Sequence, residues 1–305
     1  MRMRISVYIT SYNQRKYLKE AVESVLAQTL KPCQIVIVDD CSSDDSKDVI
    51  AGYQSRYPDL IAPIYHQKNM GIAGVRIDAL KAVTGDYVSF VDGDDRFFPT
   101  KLEKEAELLI KNPDAQIAFS NYNYIDANGA RKGTWADREK LPQGYIFCQT
   151  FARDFPNRSL FRSELVNYHA WKKIGFHDPS LLIYEDYDMR IRLTKKLKAV
   201  YCDELLSEYR RHDSGLSRCG ASCHLEALEY IYSKNRSMLA DVKEADRDYV
   251  EHTLGKWMAQ IAQQASRESL QKHNRLQAAK YLIKAQRYCP SFKNVRSAMR
   301  ILMPY

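Results

Sequence analysis

The first ninety or so residues alternate between short apolar runs and segments with helical spacing. Apolar runs rich in β-branched residues occur at 5–9, 34–38, 60–65 and 87–91, and a helical pattern follows each of the first three. A regular succession of strand and helix is typical of a parallel, doubly wound sheet. Such sheets bind ligands at the carboxyl ends of their strands, so the residues after each apolar run are the first candidates for a site.

Carboxylates crowd the end of the fourth apolar run. Asp92, Asp94 and Asp95 fall within four residues, and Gly93 lets the backbone turn tightly between them. Like charges at the end of a buried strand repel one another, so we expect a positive partner there. Carboxylate oxygens suit a hard cation such as Mg²⁺ or Mn²⁺. The same string is also typical of an acidic turn before a helix, where Asp is favoured without any metal.

A second acidic cluster begins with Asp39 and Asp40, directly after the second apolar run. Because parallel strands end at one edge of the sheet, the two clusters are expected to share a site. The dinucleotide fingerprint is missing after the first strand and no P-loop string occurs, which disfavours hydride transfer and NTP hydrolysis. A nucleotide held by carboxylates and a metal remains. Asp40 would accept N–H groups of uracil, thymine or guanine, Asp94 would hold the metal and diphosphate, and Asp92 would accept ribose hydroxyls.

Composition narrows the class of protein further. The chain has 305 residues and is 45% hydrophobic, which is enough for one large core or two smaller ones. It contains no run of eighteen apolar residues, and the apolar run near its N-terminus is too short for a signal peptide. Seven scattered cysteines fit a reducing compartment better than a disulfide framework. We therefore expect a cytoplasmic protein.

The net charge of +8 is concentrated in the tail. Residues 267–305 contain nine Lys or Arg and one acidic residue, Glu268, so the remainder of the chain is neutral. Helical spacing prevails from Leu225 onward. A basic amphipathic region suits the anionic inner face of a membrane, or packing on the rest of the protein or on a second subunit of a homo-oligomer. Nucleic acid is not expected, because no stacking aromatics alternate with the cations.

Six strings between residues 4 and 218 together resemble family-2 glycosyltransferases of the GT-A fold. They are ISVYITSYNQRKYLKEAVESVLAQT, IVIVDDCSSDD, NMGIAGVRIDAL, VSFVDGDDRFFPTKL, LIYEDYDMRIRL and EYRRHDSGLS. The resemblance implies a Rossmann-like, mostly parallel α/β sheet with flanking helices. It also implies an inverting enzyme that moves a sugar from a nucleotide diphosphate to an acceptor hydroxyl.

The resemblance assigns nucleotide contacts residue by residue. Thr10 and Tyr12 would line the nucleotide pocket, and Asp40 would contact the base with Asp39 as a neighbouring structural carboxylate. Arg76 matches an arginine that approaches the base or stabilises the aspartate cluster; without the family it could equally be an exposed helix charge.

The resemblance also assigns a metal site. Asp92, Gly93 and Asp94 match the D-x-D motif that binds ribose and a divalent cation, while Asp95 would brace the loop. His212 matches a histidine that approaches the metal or the diphosphate. Seen without the family, a histidine between arginines and an aspartate is more often a surface residue.

The general base would come from a third acidic string, residues 185–188. The resemblance makes Asp186 the base and Glu185 a residue that orients the loop by pairing with an arginine. Inversion by direct displacement needs a base on the acceptor side of the anomeric carbon, opposite the leaving group. Without the family, the string would be the acidic first turn of a helix.

Aromatic residues are plentiful between residues 121 and 163, where they suit either a sugar-binding acceptor groove or a packed core. We predict a catalytic domain at 1–222 and a helical, basic region at 223–305. The predicted reaction is metal-dependent hexosyl or N-acetylhexosaminyl transfer in polysaccharide biosynthesis, with a UDP-sugar as first choice of donor and a growing glycan or lipid-linked saccharide as acceptor. The alternative is a non-catalytic module that binds nucleotide sugars or carbohydrate.

Overall fold

The chain divides into two compact units. Residues 1–146 and 155–213 form the first, and residues 147–154 and 214–305 form the second. The computed structural model describes residues 3–137, 140–212 and 219–291, together with residues 294, 297, 298 and 301. The end of the last matching string, residues 213–218, lies outside the described residues.

All strands of the described residues belong to one mixed sheet in the first unit. They are β1 (Ile5–Ser11), β2 (Gln34–Asp39), β3 (Ile61–Tyr65), β4 (Tyr87–Asp92), β5 (Arg96–Phe97), β6 (Ala115–Asp126), β7 (Arg131–Thr134), β8 (Leu165–Asn167) and β9 (Lys198–Arg211). Their order is β3-β2-β1-β4-β8-β6-β9-β5, and β7 pairs with β6.

The first four long strands are mutually parallel, as the alternating pattern predicts. Every residue of β1 is buried, since β1 lies between β2 and β4 and helices cover the sheet. Beyond β4 the pairing changes, because the short strand β8 runs antiparallel between β4 and β6. The long strands β6 and β9 are again parallel to each other. The predicted α/β class, a mostly parallel sheet with flanking helices, is confirmed.

Helices of the first unit flank this sheet. They are α1 (Arg15–Leu26), α2 (Ser46–Arg56), α3 (Gly71–Ala82), α4 (Lys101–Lys111), α6 (Tyr168–Ile174) and α7 (Glu185–Lys196), with a short 3-10 helix at Pro156–Arg158. The apolar face of α1, including Leu18 and Val22, packs into the same core cluster as Val7 and Ile9 of β1. This buried layer holds the strand ends in fixed positions.

Most aromatic side chains of the 121–163 segment in this unit pack into the interior. Tyr122 and Trp135 are almost fully buried and stack with ring centroids 4.9 Å apart. Phe155 stacks on the other side at 6.0 Å from Trp135. Tyr145, in contrast, is 68% exposed. The packed-core interpretation therefore holds for these buried aromatics.

All secondary structure described for the second unit is helical. It consists of α5 (Phe147–Ala152), α8 (Ala221–Asn235), α9 (Glu244–Gln271) and α10 (Arg275–Tyr288), with a 3-10 helix at Arg236–Leu239. At Gly255 of α9, an added Cβ would lie 2.6 Å from the carbonyl oxygen of Tyr288, so glycine permits close packing of α10. None of the described helices combines the length and the apolar character needed to cross a membrane.

Candidate active site

Parallel pairing aligns the ends of β1, β2 and β4. Thr10 is in register with Asp92 across β1 and β4, and Ser11 is in register with Asp39 across β1 and β2. The Thr10 hydroxyl donates a 2.9 Å hydrogen bond to Asp92 Oδ1. The two acidic clusters that follow β2 and β4 therefore meet at one edge of the sheet.

The turn at residues 92–95, called here the first acidic loop, is fixed to β1 by its backbone. The Gly93 N–H donates to the Thr10 carbonyl oxygen at 2.9 Å, and the Asp95 N–H closes the turn on the Asp92 carbonyl oxygen at 2.9 Å. A Cβ at position 93 would lie only 2.6 Å from the Thr10 oxygen. A glycine is therefore required by this close approach.

Asp94 and His212 lie side by side at this edge. His212 follows β9 directly, and its Nε2 is 2.7 Å from Asp94 Oδ2. Their side chains are 9% and 15% exposed for His212 and Asp94, so neither is a freely solvated surface group. One carboxylate and one imidazole suit Mn²⁺ or Mg²⁺ if diphosphate oxygens and waters complete the shell. Within the described residues, no group of three or more His, Cys, Asp or Glu is arranged to hold a metal by itself.

Asp95 is buried beneath the loop and contacts backbone. Its Oδ1 accepts a 2.8 Å hydrogen bond from the Arg210 N–H. The Arg210 guanidinium donates to the Asp94 carbonyl oxygen at 2.8 Å and to Glu20 at 2.8 Å. Burial, reinforced by the charges of Asp94 and Asp92, raises the pKa of Asp95 well above its ordinary value. These contacts tie the loop to β9.

Arg76 joins the first acidic loop to a second one at residues 184–186. Its Nη2 donates to both oxygens of Asp92, at 2.8 and 3.2 Å. On its other side Nε lies 3.2 Å from Glu185 Oε1, an ion pair that lacks the alignment of a hydrogen bond. Arg76 is only 4% exposed, so it is not a surface helix charge. One guanidinium thus holds together carboxylates separated by more than ninety positions in the sequence.

The second acidic loop opens helix α7. Tyr184, just before the helix, has a left-handed backbone with φ of 63°, which sets the direction of the two carboxylates that follow. Glu185 is 5% exposed, and burial together with the neighbouring Asp186 raises its pKa to about 7. The Asp186 side chain remains 27% exposed. Asp186 is thus the more accessible carboxylate of this loop.

Asp186 is contacted by Arg190, which in turn pairs with Glu164. The sequence analysis predicted neither residue as part of the site. Arg190, one helical turn after Asp186, donates Nη1–H to Asp186 Oδ2. Its Nε and Nη2 donate to the two oxygens of Glu164 at 2.9 and 3.0 Å, and both side chains are 1% exposed. The spacing of four residues between Asp186 and Arg190 was a usable signal, but Glu164 lies on another element and gave none.

Asp40 caps helix α3. Its Oδ1 accepts from the Met70 N–H at 2.7 Å and lies 2.8 Å from His66 Nδ1, while its Oδ2 accepts from the Gly71 N–H at 2.9 Å. A carboxylate at a helix N-terminus is stabilised by the helix dipole. Helix α3 also carries Arg76, so Asp40 helps to position that residue.

The remaining predicted residues differ in exposure. Asp39 is fully buried and accepts a 2.9 Å hydrogen bond from the Ser42 N–H, as suits a structural carboxylate. Tyr12, directly after β1, is 48% exposed and accessible to a ligand.

Comparison with known proteins gives the family. The sequence profile described as Glycosyl transferase family 2 matches residues 6–167. An uncharacterized glycosyltransferase of Methanocaldococcus jannaschii is 31% identical over 220 residues, which is 70% of this chain and 73% of that protein. The chain spans 60% of the length of the uncharacterized mycobacterial proteins that it also matches.

Two solved structures share the fold. The crystal structure of Staphylococcus aureus TarS 1-349 in complex with UDP-GlcNAc has a TM-score of 0.66 at 17% identity, covering 98% of this chain and 88% of that one. The mannosyltransferase PcManGT from Pyrobaculum calidifontis, in complex with GDP-Man and Mn²⁺, has a TM-score of 0.59 at 15% identity, covering 98% and 79%. The chain belongs to glycosyl transferase family 2.

Proposed function

We propose that this glycosyltransferase transfers a sugar with inversion, in a metal-dependent reaction, from a nucleotide diphosphate to an acceptor hydroxyl. The proposal rests on one observation: Arg76 contacts Asp92 in the first acidic loop and Glu185 in the second. This bridge supports a single site that includes both the D-x-D turn and the accessible Asp186. A donor held at the first loop would then face a base on the second.

Asp186 is the proposed general base. Deprotonating the acceptor hydroxyl requires a correctly oriented carboxylate, and the Arg190 guanidinium orients Asp186 by donating a hydrogen bond to it. Glu185 lies between Asp186 and Arg76 and holds the loop in place. The acceptor oxygen would lose its proton to Asp186 and attack the anomeric carbon on the side opposite the diphosphate, so that the new C–O bond forms as the bond to the diphosphate breaks and the configuration inverts.

The donor would occupy the edge formed by β1, β2 and β4. Asp40 would accept the imino N–H of uracil, while Thr10 and Tyr12 line the pocket and Asp92 receives ribose hydroxyls. Asp94 and His212 would hold Mn²⁺ or Mg²⁺, which when bound neutralises charge on the departing diphosphate.

UDP-sugars are our first choice of donor, with a hexose or N-acetylhexosamine as the sugar. TarS is described in complex with UDP-GlcNAc and PcManGT with GDP-Man, so nucleotide sugars of both kinds fit this fold. We propose a growing glycan or a lipid-linked saccharide as acceptor, and hence a role in polysaccharide biosynthesis.

A place in the cytoplasm, next to the membrane, would suit such an acceptor. The seven cysteines are free, which fits a reducing compartment.

On α10, the exposed Leu276 and Ile283 share a helical stripe with the exposed cations Lys280 and Arg287. Apolar side chains interleaved with cations suit an anionic lipid surface. The fraction of protein that sediments with phosphatidylglycerol vesicles should fall when Leu276 and Ile283 are both changed to Gln. Self-association of the protein would instead identify a second copy of the chain as the partner of this stripe.

A panel of sugar nucleotides tests the catalytic proposal. With Mn²⁺ or Mg²⁺ present, one donor should raise the melting temperature, and release of its nucleotide should increase when an acceptor is added. Donor binding without any turnover, across a broad acceptor panel, would support a non-catalytic binding module instead.

A further inference from the structure

Arg162 differs from the other arginines near the acidic loops. Arg76, Arg190 and Arg210 each pair with at least one carboxylate. Arg162 has a buried Nε without a hydrogen-bond partner, and no carboxylate pairs with it in the described ranges. Its guanidinium lies over the ring of Tyr209, with Cζ 3.6 Å from the ring centroid. This charge is therefore held in place without being neutralised.

The charges of both acidic loops reach Arg162. Burial lowers its pKa, but Tyr209, Tyr122, Asp95 and Asp186 raise it, and the net effect is a pKa above the ordinary value. In return, Arg162 opposes the increase that burial produces in the pKa of Asp95. Arg162 thus remains a cation within electrostatic range of the first loop and of the proposed base.

The geometry of the contact leaves this cation able to bind a ligand. Stacking on Tyr209 restrains the plane of the guanidinium, and the N–H donors of an arginine lie at the edge of that plane. A planar fork of N–H donors matches the oxygens of a phosphate or a carboxylate. A partly buried charge without a counter-ion is costly, and an anionic ligand would offset that cost.

The acceptor is chosen over the donor because the donor diphosphate already has a proposed site. Tyr209 of β9 meets Tyr122 and Tyr124 of β6 edge-on, at 6.4 and 6.0 Å between ring centroids. The proposed site of the donor diphosphate is Asp94 in the first acidic loop together with His212. An anion at Arg162 would instead accompany the hydroxyl that Asp186 activates.

We propose that Arg162 binds a phosphate or carboxylate group carried by the acceptor. This inference rests on the proposed function, since the acceptor is defined by the transfer. The acceptor class would accordingly be an anionic saccharide or polyol, and Arg162 would determine that specificity.

Matched probe pairs test the proposal: glycerol 3-phosphate against glycerol, and methyl glucuronide against methyl glucoside. Binding of each to the full chain with UDP and Mg²⁺ is measured by ligand-observed NMR, and the donor found in the panel is used for kinetics. The protein should bind the anionic member of a pair more tightly, and Arg162→Met should weaken that binding by about tenfold or more. Arg162→Lys should retain part of the preference, because it keeps the charge but not the fork.

Arg56→Met is the matched control, because Arg56 also lies over a tyrosine ring, that of Tyr53, at 4.3 Å on helix α2. It should leave binding of all four probes unchanged. Equal binding of charged and neutral probes by the parent protein would overturn the inference. So would a loss of UDP affinity in Arg162→Met without any change in probe preference, because the guanidinium would then serve the donor. Anion binding that depends on Arg162, in a protein that turns over no sugar nucleotide, would overturn the proposed function alone.

Discussion

The two acidic loops are held in place by different means. Contacts to and from the backbone hold the first loop in addition to the Arg76–Asp92 pair: the Gly93 N–H donates to the Thr10 carbonyl oxygen, the Arg210 N–H donates to Asp95, and the Arg210 guanidinium donates to the Asp94 carbonyl oxygen. Side-chain charge fixes the second loop, through Arg76 at Glu185 and Arg190 at Asp186.

This difference fits the two proposed tasks. A metal site needs ligand oxygens at set positions, and backbone hydrogen bonds supply such positions without neutralising the ligands. A general base needs an ionised carboxylate with a defined orientation, and a guanidinium supplies both. The comparison teaches that removing a supporting charge should disturb the second loop most, whereas replacing a small residue should disturb the first.

Among the variants that test this comparison, the largest effect is expected from Asp94→Asn, which removes a proposed metal ligand rather than a supporting group. Loss of the carboxylate should abolish Mn²⁺-dependent tightening of UDP binding and lower turnover by about 100-fold or more, because charge on the leaving group is no longer neutralised. Calorimetry with UDP, with and without Mn²⁺, measures the first effect. Asp114→Asn is the control, since Asp114 is an exposed carboxylate with an 83% exposed side chain. Metal-enhanced UDP binding that survives in Asp94→Asn would remove the metal assignment.

Removing the support of the second loop should separate stability from catalysis. Arg190→Met leaves Glu164 buried and unpaired, so we expect a loss of about 3–5 kcal/mol in the free energy of unfolding. The double variant Glu164→Gln/Arg190→Met removes both charges and should recover most of that stability. Its kcat should stay low, because Asp186 still lacks its donor. Stability is measured by denaturant unfolding and kcat by steady-state kinetics. Recovery of both in the double variant would show that Arg190 serves the fold alone.

Replacing a glycine by alanine should destabilise the protein in the first acidic loop but not in helix α2. Gly93→Ala places a Cβ against the Thr10 oxygen and should destabilise the protein by about 1–3 kcal/mol while weakening donor binding. Gly52→Ala is the control, because a Cβ added at position 52 has no heavy atom within 4 Å. Since Gly52 lies in the interior of helix α2, this variant should gain about 0.5–1 kcal/mol in the free energy of unfolding. Equal stabilities of the two variants in urea would contradict the backbone account of this loop.

The smallest effect concerns pH. Folding raises the pKa of Glu185 from 4.5 to about 7, so the folded protein binds this proton more tightly than the unfolded chain does. The resulting stabilisation is fully present below pH 4.5 and is lost as the pH rises through 7. Relative to the parent, Glu185→Gln should therefore lose less stability between pH 4.5 and 7, as measured by melting temperature. Parallel pH curves for parent and variant would refute the raised pKa.

Sequence pattern predicted one half of the sheet better than the other. Strands β1 to β4 alternate with helices and end in polar clusters, which is a local and periodic signal. Strand β8 has only three residues, and its antiparallel position between β4 and β6 depends on pairing partners far away in the sequence. Single-sequence periodicity carries no information on such pairing.

The site shows the same limit. Motifs predict Asp94, His212 and Asp186 as site residues, and the structure brings Asp94 and His212 into contact. Glu164 and Arg162 were missed, because each acts on residues of other elements and neither stands in a recognisable string. Side chains that support a site from a distance in sequence become visible only in the folded chain.

The central claim is that the two loops serve one site, with the first binding the donor and the second activating the acceptor. Asp186→Asn tests it most directly when donor binding and turnover are measured on the same protein. We expect unchanged affinity for UDP and Mn²⁺ and a kcat that falls by about 100- to 10,000-fold. Turnover equal to that of the parent, or a matching loss of UDP affinity, would contradict the claim.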